Sequence, residues 1–178
     1  MLVRGEASTK DFASEHRMYN EKVLSYKKID STQDVAYRLA LQGESEGTAV
    51  VSDYQTAGRG RLGKKWFAPP RKNILCSLIL KPSIPPSDVF LIIRLAAYTI
   101  KKVIEEETGL FLQFKYPNDL LINKKKVAGL LAETRLKKKR LEFIILGIGI
   151  NINAKGNDLI EGATSLKRET EKSFSRAV

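Results

Sequence analysis

The chain has 178 residues, 43% of them hydrophobic, which suits one domain with a real core. Its formal net charge of +11 points to anionic ligands or partners. One cysteine excludes an internal disulfide framework, one histidine argues against a His-based triad or a two-His metal site, and no apolar run is long enough to cross a membrane.

Residues 1–22 are polar and mixed in charge and read as a tail or irregular lead-in, too short for a helix-turn-helix domain and without a signal-type apolar segment. A weak alternation over 23–29 predicts a strand. Asp30-Ser31-Thr32 offers N-cap oxygens, Val35, Ala36, Leu39 and Ala40 recur at helical spacing, and Gly43 suits the position after the last turn, so 31–42 is a helix. Capping accounts for Ser31 and Thr32 as well as a ligand would. Residues 47–54 read as a buried strand and 73–81 as another.

Pro82, Pro85 and Pro86 break the chain, and Ser87 is placed to cap a helix running to about Glu107. Its expected inner face is Val89, Ile92, Ile93, Ala96, Ile100 and Val103, and Gly109 ends it. Residues 111–115 form a short strand. Pro117 limits its neighbourhood to a bend or strand end, and Asn123-Lys124-Lys125 is a tight turn. Residues 126–134 return as a strand containing Gly129, where a ligand or another backbone comes close. Lys137 to Arg140 is a hairpin tip, and the apolar run 141–150 is a central strand ending in G-I-G-I-N at Asn151. The class is α+β: a mixed, mainly antiparallel sheet with helices on one face. Cys76 lies in an apolar run and reads as a buried structural thiol, in keeping with a reducing, cytoplasmic setting.

The positive charge is local. Residues 59–72 hold six Lys/Arg and no acid, and 115–140 hold nine against Asp119 and Glu133, for +6 and +7. The first stretch contains the loop around which the chain is organised, Y-Q-T-A-G-R-G-R-L-G-K-K-W over 54–66. Its glycines give up backbone entropy on ordering and its cations repel one another, costs that an anionic ligand offsets. Without ligand the loop is expected to be mobile, closing when the anion arrives. Gly58, Gly60 and Gly63 satisfy G-x-G-x-x-G, but Pro69-Pro70 comes next where a dinucleotide fold needs a helix. A Walker A reading fails at Lys65, where Ser or Thr must stand.

Four separated pieces occur in order: Gly58-Arg59-Gly60-Arg61-Leu62-Gly63-Lys64-Lys65-Trp66, Lys115-Tyr116-Pro117-Asn118-Asp119, Lys126-Val127-Ala128-Gly129-Leu130-Leu131-Ala132-Glu133, and G-I-G-I-N. Together they resemble the catalytic core of the biotin protein ligases, whose motifs are G-R-G-R-x-G-R-x-W, K-W-P-N-D-L, K-x-x-G-I-L-x-E and G-I-G-I-N. The resemblance spans roughly residues 26–166. It implies the fold shared by class II aminoacyl-tRNA synthetases and the biotin and lipoate ligases. It also implies that biotin and ATP, with Mg²⁺, give biotinyl-5′-AMP and pyrophosphate. The biotinyl group then passes to a lysine of the biotin carboxyl carrier domain of a carboxylase. The residue types agree with this chemistry. Joining a carboxylate to a triphosphate needs fixed cations and no protein nucleophile, so a chain without a usable histidine or thiol can run it.

By the same resemblance, Ser31, Thr32, Gln33 and Gln55 hydrogen-bond the ureido end of biotin. Gly58, Arg59, Gly60 and Arg61 fold over biotin and the phosphates. Lys126 sits on the biotin carboxylate and α-phosphate, and Gly129 keeps the pocket floor open. The adenylate is held by Arg61, Lys64, Trp66, Lys115, Asn118, Asp119, Lys126 and Asn151, with Asp119 as a Mg²⁺ ligand and Asn151 on the adenine edge. Arg59, Arg61 and Lys126 carry the catalysis. Tyr116 stands where the family has Trp, and Lys64 where it has Arg, which keeps the charge but loses the bidentate fork.

The implied organisation is a lead-in over 1–22, a catalytic domain over 23–170, and at 171–178 the start of a cut-short segment, with a helix beginning at Ser173-Phe174-Ser175-Arg176. The family's small C-terminal β-barrel is not expected, nor the DNA-binding domain of its bifunctional members; a homodimer is compatible with the sequence. Three other readings stand beside it: a lipoate or octanoate ligase or transferase, a biotin-binding core with impaired transfer, and a nucleic-acid-binding module. Only Trp66, Phe67 and Tyr116 lie within or beside the basic stretches, which is thin for base stacking.

Overall fold

The computed structural model describes residues 12–18 and 21–176, as backbone only as far as Glu21. Among these residues, eight strands form one sheet in the order β1-β2-β3-β4-β8-β7-β6-β5. They are β1 Phe12–Met18, β2 Glu21–Tyr26, β3 Ala49–Ser52, β4 Ile74–Leu80, β5 Gln113–Lys115, β6 Asp119–Ile122, β7 Lys125–Lys137 and β8 Arg140–Ile150. The helices are α1 Thr32–Leu41, α2 Val89–Thr108 and α3 Leu166–Thr170.

Among the described strands only β2 and β3 pair in parallel, and α1 is the crossover that a parallel pair requires. The other pairings are antiparallel. The turns joining β6 to β7 and β7 to β8 place two successive residues at positive φ, Asn123-Lys124 and Lys138-Lys139, as primed hairpin turns require. The mixed, mainly antiparallel sheet predicted from the sequence is therefore present.

One part of that expectation is corrected: the helices do not share a face. Successive residues of a strand point to opposite faces. Phe143 and Ile145 of β8 pack with Val50, Ile79 and the Val35, Ala36 and Ala40 side of α1. Leu146 and Ile150 pack instead with Leu120, Val127 and Leu130 and with Ala97 and Ile104 of α2. So α1 and α2 cover opposite faces. The physical reason is β8 itself, which is apolar on both sides and leaves neither face fit for water.

The structure differs in finer ways too. The lead-in is not irregular throughout, because Phe12–Met18 forms the edge strand β1, held by pairing to β2; its sequence lacks the alternation that marks a strand. The rest of that lead-in, 1–11 and 19–20, lies outside the described residues. Along α2, Val103 is 52% exposed, while Ala97 and Ile104 are buried. The first half of this helix is apolar nearly all round, so its pattern does not fix which stripe faces the sheet. Ser87 does not cap it; its hydroxyl donates to Asp88 Oδ1 at 2.9 Å within a single 3-10 turn.

The segment after α3 is not a helix start either. Asn153 brackets Phe174, donating to its carbonyl at 2.8 Å and accepting from its N–H at 3.0 Å. Arg176 donates to the Asn73 carbonyl and to Asp53, both at 2.8 Å. These bonds hold residues 174–176 against the core, where Phe174 packs.

Candidate functional site

The site lies on the α1 face of the sheet, where β7 and β8 carry glycines. Gly129 and Gly149 are direct partners across the ladder, and Leu131 pairs with Gly147. A Cβ on Gly149 would lie 2.5 Å from Trp66 Cε2, and one on Gly147 would lie 2.6 Å from Gln33 Oε1. The missing side chains are what allow the Trp66 indole and the Gln33 amide to lie against the sheet. Above this floor opens a cleft of about 480 Å³.

One end of the cleft is a buried polar corner built by the start of α1. Ser31 is the N-cap and accepts from the Gln33 N–H at 3.2 Å. The Thr32 N–H and hydroxyl both donate to Gln55 Oε1, at 2.6 and 3.0 Å. Gln33 Nε2 donates to the Ile145 carbonyl at 3.0 Å. Ser77, buried in β4, donates to Gln33 Oε1 at 3.0 Å and lies 2.9 Å from Thr32 Oγ1. Ser31 is thus both a cap and a pocket residue, and the network fixes the orientation of each amide.

The other end is cationic. Lys126 Nζ lies 2.7 Å from Asp119 Oδ1 and 5.3 Å from the Trp66 ring centroid. Asp119 Oδ1 is buried and accepts no well-aligned hydrogen bond, so its contact with Lys126 is ionic rather than directional. Arg61 donates to Asn118 Oδ1 at 3.2 Å, and Asn118 Nδ2 donates to the Leu130 carbonyl at 2.7 Å. Lys64, Lys65 and Lys115 line the same cleft. The Tyr116–Pro117 peptide beside them is cis.

The loop spans the two ends. Its stem is paired: Trp66 N–H donates to the Gly58 carbonyl at 2.9 Å and Gly60 N–H to the Lys64 carbonyl at 2.7 Å. Arg59 forms charged hydrogen bonds to Asp34 and Glu133. Partial burial opposes its charge, but those two carboxylates outweigh it and raise the guanidinium above its ordinary pKa. At the tip, Leu62 is 89% exposed with a positive φ of 54°.

Of the residues singled out from the sequence, all but Gly58 line this cleft. Gly58 belongs to the loop stem, where a Cβ would meet the Trp66 carbonyl at 2.5 Å. Asn151 lines the cleft, but its amide is engaged elsewhere, accepting from Asn73 Nδ2 at 2.9 Å and donating to the Thr164 carbonyl at 3.0 Å. Asp119 is the counter-ion of Lys126, and among the described residues no three His, Cys, Asp or Glu side chains gather to hold a metal. A protein-built metal cage does not fit here. Cys76, expected to be buried, is only half-buried, because β4 places it in the wall of the cleft; desolvation still pushes its thiol up to about 12.

Sequence reasoning missed Ser77, Asp34 and Asn73. Ser77 is the one hydroxyl in the run I-L-C-S-L-I-L, and that solitary polar residue was the available signal. Glu133 stood in a motif without a role.

Fold and site together define an α+β core with a dense cationic loop over a cleft that has a polar corner at one end. A family model for the biotin/lipoate A/B protein ligases matches residues 25–151, and the chain belongs to that family. It is 38% identical over 170 residues to the bifunctional ligase/repressor BirA of Bacillus subtilis, covering 93% of this chain and 52% of that protein. It is 33% identical over 141 residues to the biotin–[acetyl-CoA-carboxylase] ligase of Mycobacterium tuberculosis, covering 75% and 50%. Among solved structures, the biotin protein ligase of Aquifex aeolicus in complex with biotin and ATP superposes with a TM-score of 0.71 at 34% identity, over 86% of this chain and 63% of that one. The chain spans about half the length of the curated relatives it matches.

Proposed function

We propose that the chain is the catalytic core of a biotin protein ligase. The observation that carries this reading is the position of Lys126. It stands on the glycine floor, beside Trp66 and Asp119, between the polar corner and the cationic loop.

In this reading the ureido group of biotin takes the corner of Ser31, Thr32, Gln33 and Gln55, and Trp66 shelves the adenine. Lys126 and Arg61 meet the carboxylate and α-phosphate. A carboxylate oxygen attacks the α-phosphorus, the bond to the β-phosphate oxygen breaks, and pyrophosphate leaves. Lys126 opposes the negative charge that builds at this step and, being already charged, needs no proton transfer. A carrier lysine amine then attacks the biotinyl carbonyl, AMP departs, and the amine proton goes to solvent. Mg²⁺ would offset charge on the triphosphate, and Asp119, now paired with Lys126, would be the carboxylate to hold it. Asn118 positions Arg61, and Asn151 holds the floor rather than the adenine edge.

The partner is a biotin carboxyl carrier domain. The setting is cytoplasmic and no DNA is bound. No helix among the described residues is long and apolar enough to cross a membrane. Pyrophosphate release from ATP, with biotin, lipoate and octanoate offered separately, tests the reading. Biotin is expected to drive release; release with lipoate and none with biotin would overturn it.

A further inference from the structure

Two arginines sit in the loop, and the structure treats them differently. The Arg59 guanidinium is shared between Asp34, at the start of α1, and Glu133, on β7. Two carboxylates around one guanidinium leave that cluster with a net charge of −1. Arg61 meets only the neutral Asn118 among the described residues, so its charge is available. Drawing Arg59 to a phosphate would leave Asp34 and Glu133 close together without their cation, a cost that no phosphate contact of Arg61 incurs.

The backbone makes the same division. Residue 59 bridges residue 65, Trp66 returns to Gly58, and Ala57 N–H donates to the Asp30 carbonyl at 2.9 Å. These are stem contacts. Arg61–Gly63 forms the one-turn tip beyond them. A planar fork that donates from separate nitrogens to Asp34 and Glu133 ties three elements at one point, which a lysine cannot do.

We propose that Arg59 is a latch and not a phosphate ligand: held between Asp34 of α1 and Glu133 of β7, it fixes the loop stem over the pocket and leaves Arg61 to meet the anion. Asp34 and Glu133 are then positioning residues. The role given to Arg61 rests on the proposed adenylation; the latch itself does not.

Hydrogen exchange of amides 57–66 in the unliganded protein tests the latch. Arg59→Ala and Glu133→Gln are each expected to speed exchange about tenfold, the size of one charge-assisted hydrogen bond. The double variant should be no faster than the faster single one, and Arg59→Lys should fall between wild type and Arg59→Ala. Unchanged exchange, or single effects that multiply in the double variant, would overturn the proposal. In pyrophosphate release, the two single variants should raise the KM for biotin and for ATP together. A rise confined to ATP in Arg59→Ala, with Glu133→Gln unaffected, would make Arg59 a phosphate ligand and also overturn it. If biotin is not the substrate, the kinetic arm is silent for every variant while the exchange pattern persists, so the two failures are distinguishable.

Discussion

Gly129 and Gly149 face each other across the β7–β8 ladder, and together they leave a bare patch of sheet on which the Trp66 indole rests. The third and fourth motifs of the sequence meet there with the end of the first. A side chain at either position would intrude between the ring and the sheet.

The two glycines should nevertheless respond differently to alanine. A Cβ on Gly149 lies 2.5 Å from the rigid indole, whereas one on Gly129 first meets the flexible end of Lys126, with Cε at 2.9 Å. Overpacking of this kind costs about 1–3 kcal/mol. Gly149→Ala is expected to raise the KM for ATP about tenfold or more while the fold survives, and Gly129→Ala to raise it less. Equal effects, or none, would show that Trp66 does not rest there in solution.

Ser77→Ala removes a hydroxyl shared by Thr32 and Gln33. The stranded Gln33 oxygen is buried, and a buried group without its partner costs about 1–3 kcal/mol. Thermal unfolding should therefore occur several degrees lower, and the KM for biotin should rise with little change for ATP. An unchanged biotin KM would remove Ser77 from the pocket.

With its thiol pushed up to about 12 by desolvation, Cys76 carries only about one thiolate in 10⁵ molecules at pH 7. Alkylation by iodoacetamide at pH 7 should therefore be slow in the folded protein and complete after denaturation. Rapid labelling of the native chain at pH 7 would contradict the raised thiol pKa, since Cys76 lines the cleft and is only half-buried.

The loop expected to be mobile throughout has a paired stem and an exposed tip. The prediction narrows accordingly. Amides 61–64 should gain protection when biotin and ATP are added, because closure excludes water from a reactive anhydride. The amides of Ala57, Gly60 and Trp66, which donate within the stem, should already be slow. Equal exchange across 57–65 in the absence of ligand would show that the stem pairing does not hold.

The features legible in the sequence rest on signals that are local along the chain. The N-cap at Ser31, the turn at Asn123-Lys124 and the apolar run of β8 all depend on neighbours a few residues apart, and all appeared where the pattern put them. Motif spacing gathered Lys126, Asp119, Arg61 and Trp66 into one cleft. The features that stayed hidden depend on pairing across the sheet. Whether α1 and α2 share a face is set by strand pleating, and a β8 that is apolar on both sides offers no clue. The partners of Arg59 lie 25 residues before it and 74 after it, on elements whose juxtaposition no periodicity encodes. The partners that engage the Asn151 amide, Asn73 and Thr164, are likewise brought to it only by the fold.

Exchange of labelled pyrophosphate into ATP measures directly whether a carboxylate is adenylated beside Lys126. Exchange is expected to require biotin, to fall by at least about a hundredfold in Lys126→Ala and Arg61→Ala, as loss of transition-state charge stabilisation does, and to be unchanged in Lys138→Ala, a charge at a hairpin tip. Exchange without biotin, or equal losses in all three variants, would contradict adenylation there.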